Sequence, residues 1–283
     1  MTSDSVLSWK SFWDRGGFWR ALLLAAVYYP LYLGAGYVLG RIGGVEPDSL
    51  MASAGNLFWG QVAALFVGGA ILLAFGASVG WLDDVFGPQP ITGRWWMWLA
   101  PLVVLAFNVV RFAAADYDAF DPALVIVVLL LGVGVGFAEE LLTRGYAITM
   151  LRAGGHSERA VAALSSLIFA LLHVGNIFGG QALLTVAITV VYTFGFGVMM
   201  YLTLRVTGRL IWPMIIHATT DASGILLTGG IDEVTGGAAT GALAGIAGLA
   251  NIVVAPLGLI LLLFVRGHVG RRTQEPTPQP ATT

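Results

Sequence analysis

Eight long apolar stretches dominate this chain and leave little sequence for anything else. They run near 18–39, 57–81, 95–114, 122–139 (extending to about 151), 160–178, 183–204, 210–227 and 241–265. A membrane helix needs roughly 20 mostly apolar residues, so each stretch is a candidate span. Charge points the same way: charged residues make up 11% of the chain and mean hydropathy is +0.83, whereas a soluble domain carries about 25% charge. Ionic side chains are too few to cover a globule of 283 residues. The predicted class is therefore an all-α polytopic membrane protein with eight transmembrane helices. A net charge of −2 without a basic run gives nucleic acid no electrostatic footing. The absence of Cys removes disulfides, thiolate metal sites and cysteine nucleophiles together.

Basic residues predict the topology. Lys10, Arg15, Arg20, Arg94, Arg144, Arg152, Arg159, Arg205, Arg209, Arg266, Arg271 and Arg272 fall on the side shared by the two termini, and only Arg41 and Arg111 on the other. Basic residues stay in the cytoplasm, so both termini are expected there, in a multi-pass protein of the plasma membrane. The acidic stretches Asp116–Asp121 and Asp232–Glu233 then face outward. Trp9, Trp13 and Trp19, and Trp95, Trp96 and Trp98, sit where spans meet lipid headgroups. The expected organisation is a cytoplasmic segment over 1–17, one eight-helix domain over 18–266 without internal repeat, and a Pro/Thr-rich disordered cytoplasmic tail over 267–283. Gly132-x-x-x-Gly136 and Gly237-x-x-x-Gly241-x-x-x-Gly245 read as close helix packing in lipid.

Against this apolar background a few ionisable groups stand out. Glu139, Glu140 and Arg144 lie along the fourth stretch, His173 in the fifth, and His217 and Asp221 in the seventh. A charge at bilayer depth costs about 2.5–3.5 kcal/mol even on lenient scales, so these groups are expected to face one another or water in a functional site. In the turn Ala153-Gly154-Gly155-His156-Ser157, glycines end one helix and Ser157 caps the next. Glu139 and His173 lie equally far from His156 on either side, which in antiparallel helices means equal depth. His217 and Asp221 are four apart and share a helical face, and Glu140 and Arg144 have the favourable i,i+4 order of an ion bridge. Glu139 points about 100° away from that bridge and has no basic residue at i+3 or i+4. It is the candidate to take a proton from water as a general base.

The pattern Glu139-Glu140-x-x-x-Arg144, Phe169-x-x-x-His173 and His217-x-x-x-Asp221, in this order on three apolar spans, resembles the CAAX prenyl endopeptidase and bacteriocin-processing (CPBP or Abi) family of intramembrane proteases. The resemblance covers about 132–224. It implies an eight-helix core with a cavity facing the cytoplasm, and a water activated by Glu139 and His173 that attacks a peptide carbonyl. His217 and Asp221 inherit stabilisation of the oxyanion, with Asp221 standing where Asn is more usual. Glu140, Arg144 and Phe169 are support. A divalent metal such as zinc is the alternative activator, with Glu139, His173, His217 and Asp221 as its donors. The implied partner is a membrane-associated peptide or protein, cut near a C-terminus or leader, within the lipid bilayer.

Other chemistries fit less well. A rhomboid-type Gly-x-Ser-Gly is absent, since Ser223-Gly224 follows Asp221-Ala222; Tyr117-Asp118 has no presenilin-type second motif; and no His-Glu-x-x-His occurs. A proton-coupled transporter would also place Glu, His and Asp in the membrane but is expected to show inverted repeats. A non-catalytic immunity or scaffold protein of the same fold is the other alternative. Thirteen Arg against one Lys suggests a GC-rich bacterial genome.

Overall fold

The computed structural model describes residues 3–231 and 242–270, which contain helices and no strand. A short helix, α1 (Ser3–Asp14), precedes α2 (Phe18–Ile42), α3 (Ala54–Val79), α4 (Trp95–Ala114), α5 (Pro122–Ala153), α6 (Glu158–Ile177), α7 (Leu183–Thr207), α8 (Ile211–Thr228) and α9 (Ala242–Leu262). Seven of these, α2 to α7 and α9, are long and apolar enough to cross a membrane. The chain is thus a multi-pass helical membrane protein, as its composition led us to expect. Of the eight expected spans, α8 does not meet the same standard, because His217, Thr219, Thr220, Asp221 and Ser223 replace apolar side chains along its 18 residues. The polarity that marks it as functional also lowers its hydropathy. Asp232–Glu233, Gly237, Gly241, Arg271, Arg272 and the Pro/Thr-rich tail from 273 lie outside the described residues.

Local signals set the helix ends near the site. The Asp121 carboxylate accepts from the Ala123 N–H at 2.8 Å and Pro122 occupies the first turn, which starts α5. Ser157 accepts from the Ala160 N–H at 3.4 Å and starts α6, after Gly155 has turned the chain at φ +81°. α5 is the longest helix: its 32 residues span about 48 Å at ~1.5 Å per residue, more than the ~30 Å hydrocarbon layer. Its last turns therefore extend past that layer.

Gly132 and Gly136 lie on the face of α5 that meets α8. A Cβ at Gly132 would sit 2.3 Å from the Ala218 carbonyl oxygen, and one at Gly136 2.4 Å from that of Met214. Only glycine permits this approach, which brings the carboxylates of α5 beside the imidazole of α8.

One end of the bundle gathers both terminal segments. The Gly17 N–H donates to the Met150 carbonyl at 2.6 Å, the Glu158 N–H to Gly267 at 3.0 Å, and the Gln89 N–H to Gly208 at 3.0 Å. Buried Glu158 ties this end together. It receives Arg152 through two hydrogen bonds at 2.8 Å, Arg205 at 3.0 Å and the Tyr201 hydroxyl at 2.6 Å. Removing one partner from a buried ion network costs about 3–5 kcal/mol. Glu158→Gln is accordingly expected to lower the thermal midpoint in detergent strongly, whereas Asp118→Asn, in an exposed turn, should leave it unchanged.

Candidate active site

The site begins where α5 changes pitch. After Glu139 and Glu140 the helix widens into a π turn over Leu141–Ala147, a feature that often accompanies functional sites. Glu140 and Arg144 are fully buried and paired at 3.1 Å, so the i,i+4 ion bridge read from the sequence is present. The Arg144 guanidinium lies 4.5 Å from the centre of the Phe169 ring on α6 and donates to the Thr143 hydroxyl, which itself donates to the Glu139 carbonyl at 2.6 Å.

Glu140 does more than neutralise Arg144. Its Oε1 also lies 2.8 Å from Nδ1 of His217. A carboxylate only accepts, so Nδ1 carries the proton and the imidazole orientation is fixed. The rings of Phe169 and Phe196 hold the imidazole edge-on, at 5.5 and 5.0 Å between centroids. Nε2 consequently faces the cavity, 3.4 Å from Asp221 Oδ2 and 3.8 Å from Glu139 Oε2. Asn108 of α4 secures α8 at this level, with its amide nitrogen 2.9 Å from the Thr220 hydroxyl and 3.2 Å from the Ile216 carbonyl.

His173 sits where the α-helical part of α6 ends at Leu172 and the chain tightens into a 3-10 turn over His173–Ile177. Its Nδ1 donates to the Phe169 carbonyl at 3.2 Å, and its ring packs on that of Phe169 at 5.0 Å. Glu139, His173, His217, Asp221 and Phe169 all line one cavity of about 760 Å³, while Glu140 and Arg144 lie behind its wall. The equal-depth count for Glu139 and His173 thus places both at the same cavity. The count did not reveal that the imidazole found 3.8 Å from Glu139 is that of His217.

Several lining groups escaped sequence reasoning. Arg111 entered the sequence reading only as a charge on the side away from the termini; it is buried in the cavity wall and donates to the Asn251 side chain at 3.2 Å. Its spacing of three from Asn108 on an apolar helix was the available signal. Tyr28, Tyr32 and Tyr37 of α2 and Phe196 of α7 complete the wall; aromatics in apolar spans offered no signal of their own. The cavity also occupies the half of the bundle remote from the gathered terminal segments, reaching Tyr37, Gly179, Thr228 and Ile231. Cytoplasmic termini and a cytoplasm-facing cavity, both expected above, therefore cannot hold together. Most of the lining residues lie in the helix halves farther from the termini, although Tyr28 and His217 lie past the middle of their helices.

Among the described residues no group of three or more His, Asp or Glu is arranged to hold a metal ion. His217 has one ring nitrogen committed to Glu140 and His173 one to a backbone carbonyl, which fixes the orientation of each ring.

The helices thus enclose a membrane-embedded cluster of carboxylates and imidazoles at the floor of a cavity large enough for a peptide segment. Residues 121–223 match the family model of the type II CAAX prenyl endopeptidase Rce1-like proteins. That span includes Glu139, Glu140, Arg144, Phe169, His173, His217 and Asp221, and the match bears out the resemblance seen in the motifs. The searches of curated proteins and of solved structures give no match.

Burial separates the carboxylates energetically. Glu140 is fully buried, whereas the Asp221 side chain is 29% exposed. Glu140→Ala leaves Arg144 without its counter-ion and should cost about 3–5 kcal/mol. Asp221→Asn keeps the shape of a partly exposed side chain and should cost clearly less than Glu140→Ala. Thermal unfolding of the purified variants in detergent checks the contrast.

Proposed function

We propose that this chain is an intramembrane endopeptidase that hydrolyses a peptide bond near the C-terminus or leader of a membrane-associated substrate. The observation that supports it best is the convergence of Glu139, His173, His217 and Asp221 on one cavity, with His217 fixed from behind by Glu140. The matched family consists of CAAX-type proteases.

In this reading a water held between Glu139 and His173 loses a proton to the Glu139 carboxylate, and its oxygen bonds to the peptide carbonyl carbon. The carbonyl π bond opens, and the oxyanion faces Nε2 of His217. With Nδ1 committed to Glu140, an N–H at Nε2 is steadied by Asp221 at 3.4 Å and hydrogen-bonds to the oxyanion without giving up its proton. Asp221 then acts by positioning His217, so Asn is not required there. Collapse of the intermediate breaks the C–N bond, and the Glu139 proton passes to the leaving nitrogen. The four residues are the donors a divalent metal such as zinc would use, but they do not form a metal-binding group, and no step is assigned to one.

The topology that accompanies this reading has eight spans. α8 is counted because α4, α5 and α7 pack around it, which shields its polar residues from lipid. Both termini lie in the cytoplasm, the membrane is the plasma membrane, and 18–266 forms one domain.

The test is Glu139→Gln, which keeps the shape of the side chain and removes its basicity. Loss of cleavage by at least about 10²-fold is expected, read as peptide termini that appear in membranes holding the active protein and not in those holding the variant, with the unfolding midpoint unchanged. Equal cleavage by both proteins would favour a scaffold or immunity role. Solute uptake into proteoliposomes, with none expected, addresses the transporter.

A further inference from the structure

The position of the cavity and the distribution of charge together indicate the side from which the substrate arrives. The lining reaches Tyr37 of α2, Gln61 of α3, Arg111 of α4, Phe178 beyond α6, Ile188 of α7 and Thr228 of α8. Each lies in the half of its helix remote from the gathered terminal segments. Toward the termini the floor is closed: Tyr146, Met199, Met200, Tyr201 and Leu204 are fully buried and pack into one continuous core. His217 is six residues from the Ile211 end of α8 and eleven from the Thr228 end.

The two ends also differ in charge. Arg15, Arg94, Arg159, Arg209 and Arg266 are exposed at the terminal end. At the cavity end Arg41 is the exposed basic residue among those described, beside exposed Glu46, Asp116, Asp118 and Asp121. Arg111, the other cation on that side, is buried in the cavity wall. Short loops rich in Arg remain cytoplasmic. Arg144, Arg152 and Arg205 are buried on the terminal side as well, so the exposed charges keep the bias read from the sequence and set it against the cavity.

We propose that the cavity opens on the non-cytoplasmic face of the membrane, and that its occupant is the extracytoplasmic segment of an exported or membrane-inserted polypeptide. The nature of the occupant rests on the peptidase reading, whereas the orientation does not. A polypeptide tail that stays in the cytoplasm, such as a prenylated C-terminus, would meet the closed end of the bundle.

Because the chain contains no Cys, single cysteines report orientation without background. Asp118→Cys at the cavity end and Arg209→Cys at the terminal end are exposed positions outside the proposed catalytic groups; Phe178→Cys lies at the cavity mouth and is 87% exposed. A membrane-impermeant maleimide is applied to intact spheroplasts expressing the full chain, and labelling is scored against that of solubilised protein. Asp118→Cys and Phe178→Cys are expected to react fully in intact spheroplasts, and Arg209→Cys only after solubilisation. Protection of Asp118→Cys before solubilisation, or full reaction of Arg209→Cys, overturns the orientation. Peptide termini that depend on Glu139 should map to extracytoplasmic segments, and their mapping to cytoplasmic tails overturns the substrate assignment. If labelling follows expectation and no such termini appear, the peptidase reading fails and the orientation stands.

Discussion

One carboxylate organises this protein's interior. Glu140 lies in a fully buried pocket, accepts from Arg144 on its own helix and from His217 across the bundle, and so joins α5 to α8 where the bilayer offers no water to replace either partner. A buried charge is tolerated only when paired and hydrogen-bonded, and here the pairing also specifies a geometry. Arg144 is stacked on Phe169 of α6, and Phe169 touches both His217 and His173. The three motifs are thus mechanically one unit. The glycines at 132 and 136 make it attainable by letting the two helices approach to backbone contact.

This arrangement divides the adjacent glutamates into different tasks. Glu140 faces inward and is consumed by structure; Glu139, one residue earlier, faces the cavity and retains 22% side-chain exposure. The π turn that follows them resets the helix so that Arg144 lies beneath Phe169. Two neighbouring acids of identical chemistry acquire separate roles because a helix rotates about 100° per residue.

Much of this was legible before any coordinates. The apolar stretches gave the helices, the i,i+4 pairs gave the Glu140–Arg144 and His217–Asp221 contacts, and the count from His156 placed Glu139 and His173 at one cavity. What was not legible depends on contacts between helices distant in sequence. Nothing in the spacing of α5 and α8 says that Glu140 meets Nδ1 of His217, or that Asn108 of α4 binds beside Thr220. The burial of Arg111 likewise depends on the cavity wall that other helices build around it. The half of the bundle that holds the cavity was equally illegible. Charge bias orients a chain in the bilayer, but which half of a bundle is hollow depends on side-chain packing, and here that half is the one remote from the termini.

The central claim is that Glu140 and His217 act as a coupled pair that holds the site together. A double-mutant cycle on unfolding stability, with Glu140→Gln, His217→Gln and the double variant, measures that coupling directly. Contacting groups in one hydrogen-bond network show interaction energies of about 0.5–3 kcal/mol, and a value in the upper part of that range is expected for a buried 2.8 Å contact. Effects that add to within about 0.5 kcal/mol, as for independent sites, would contradict the account.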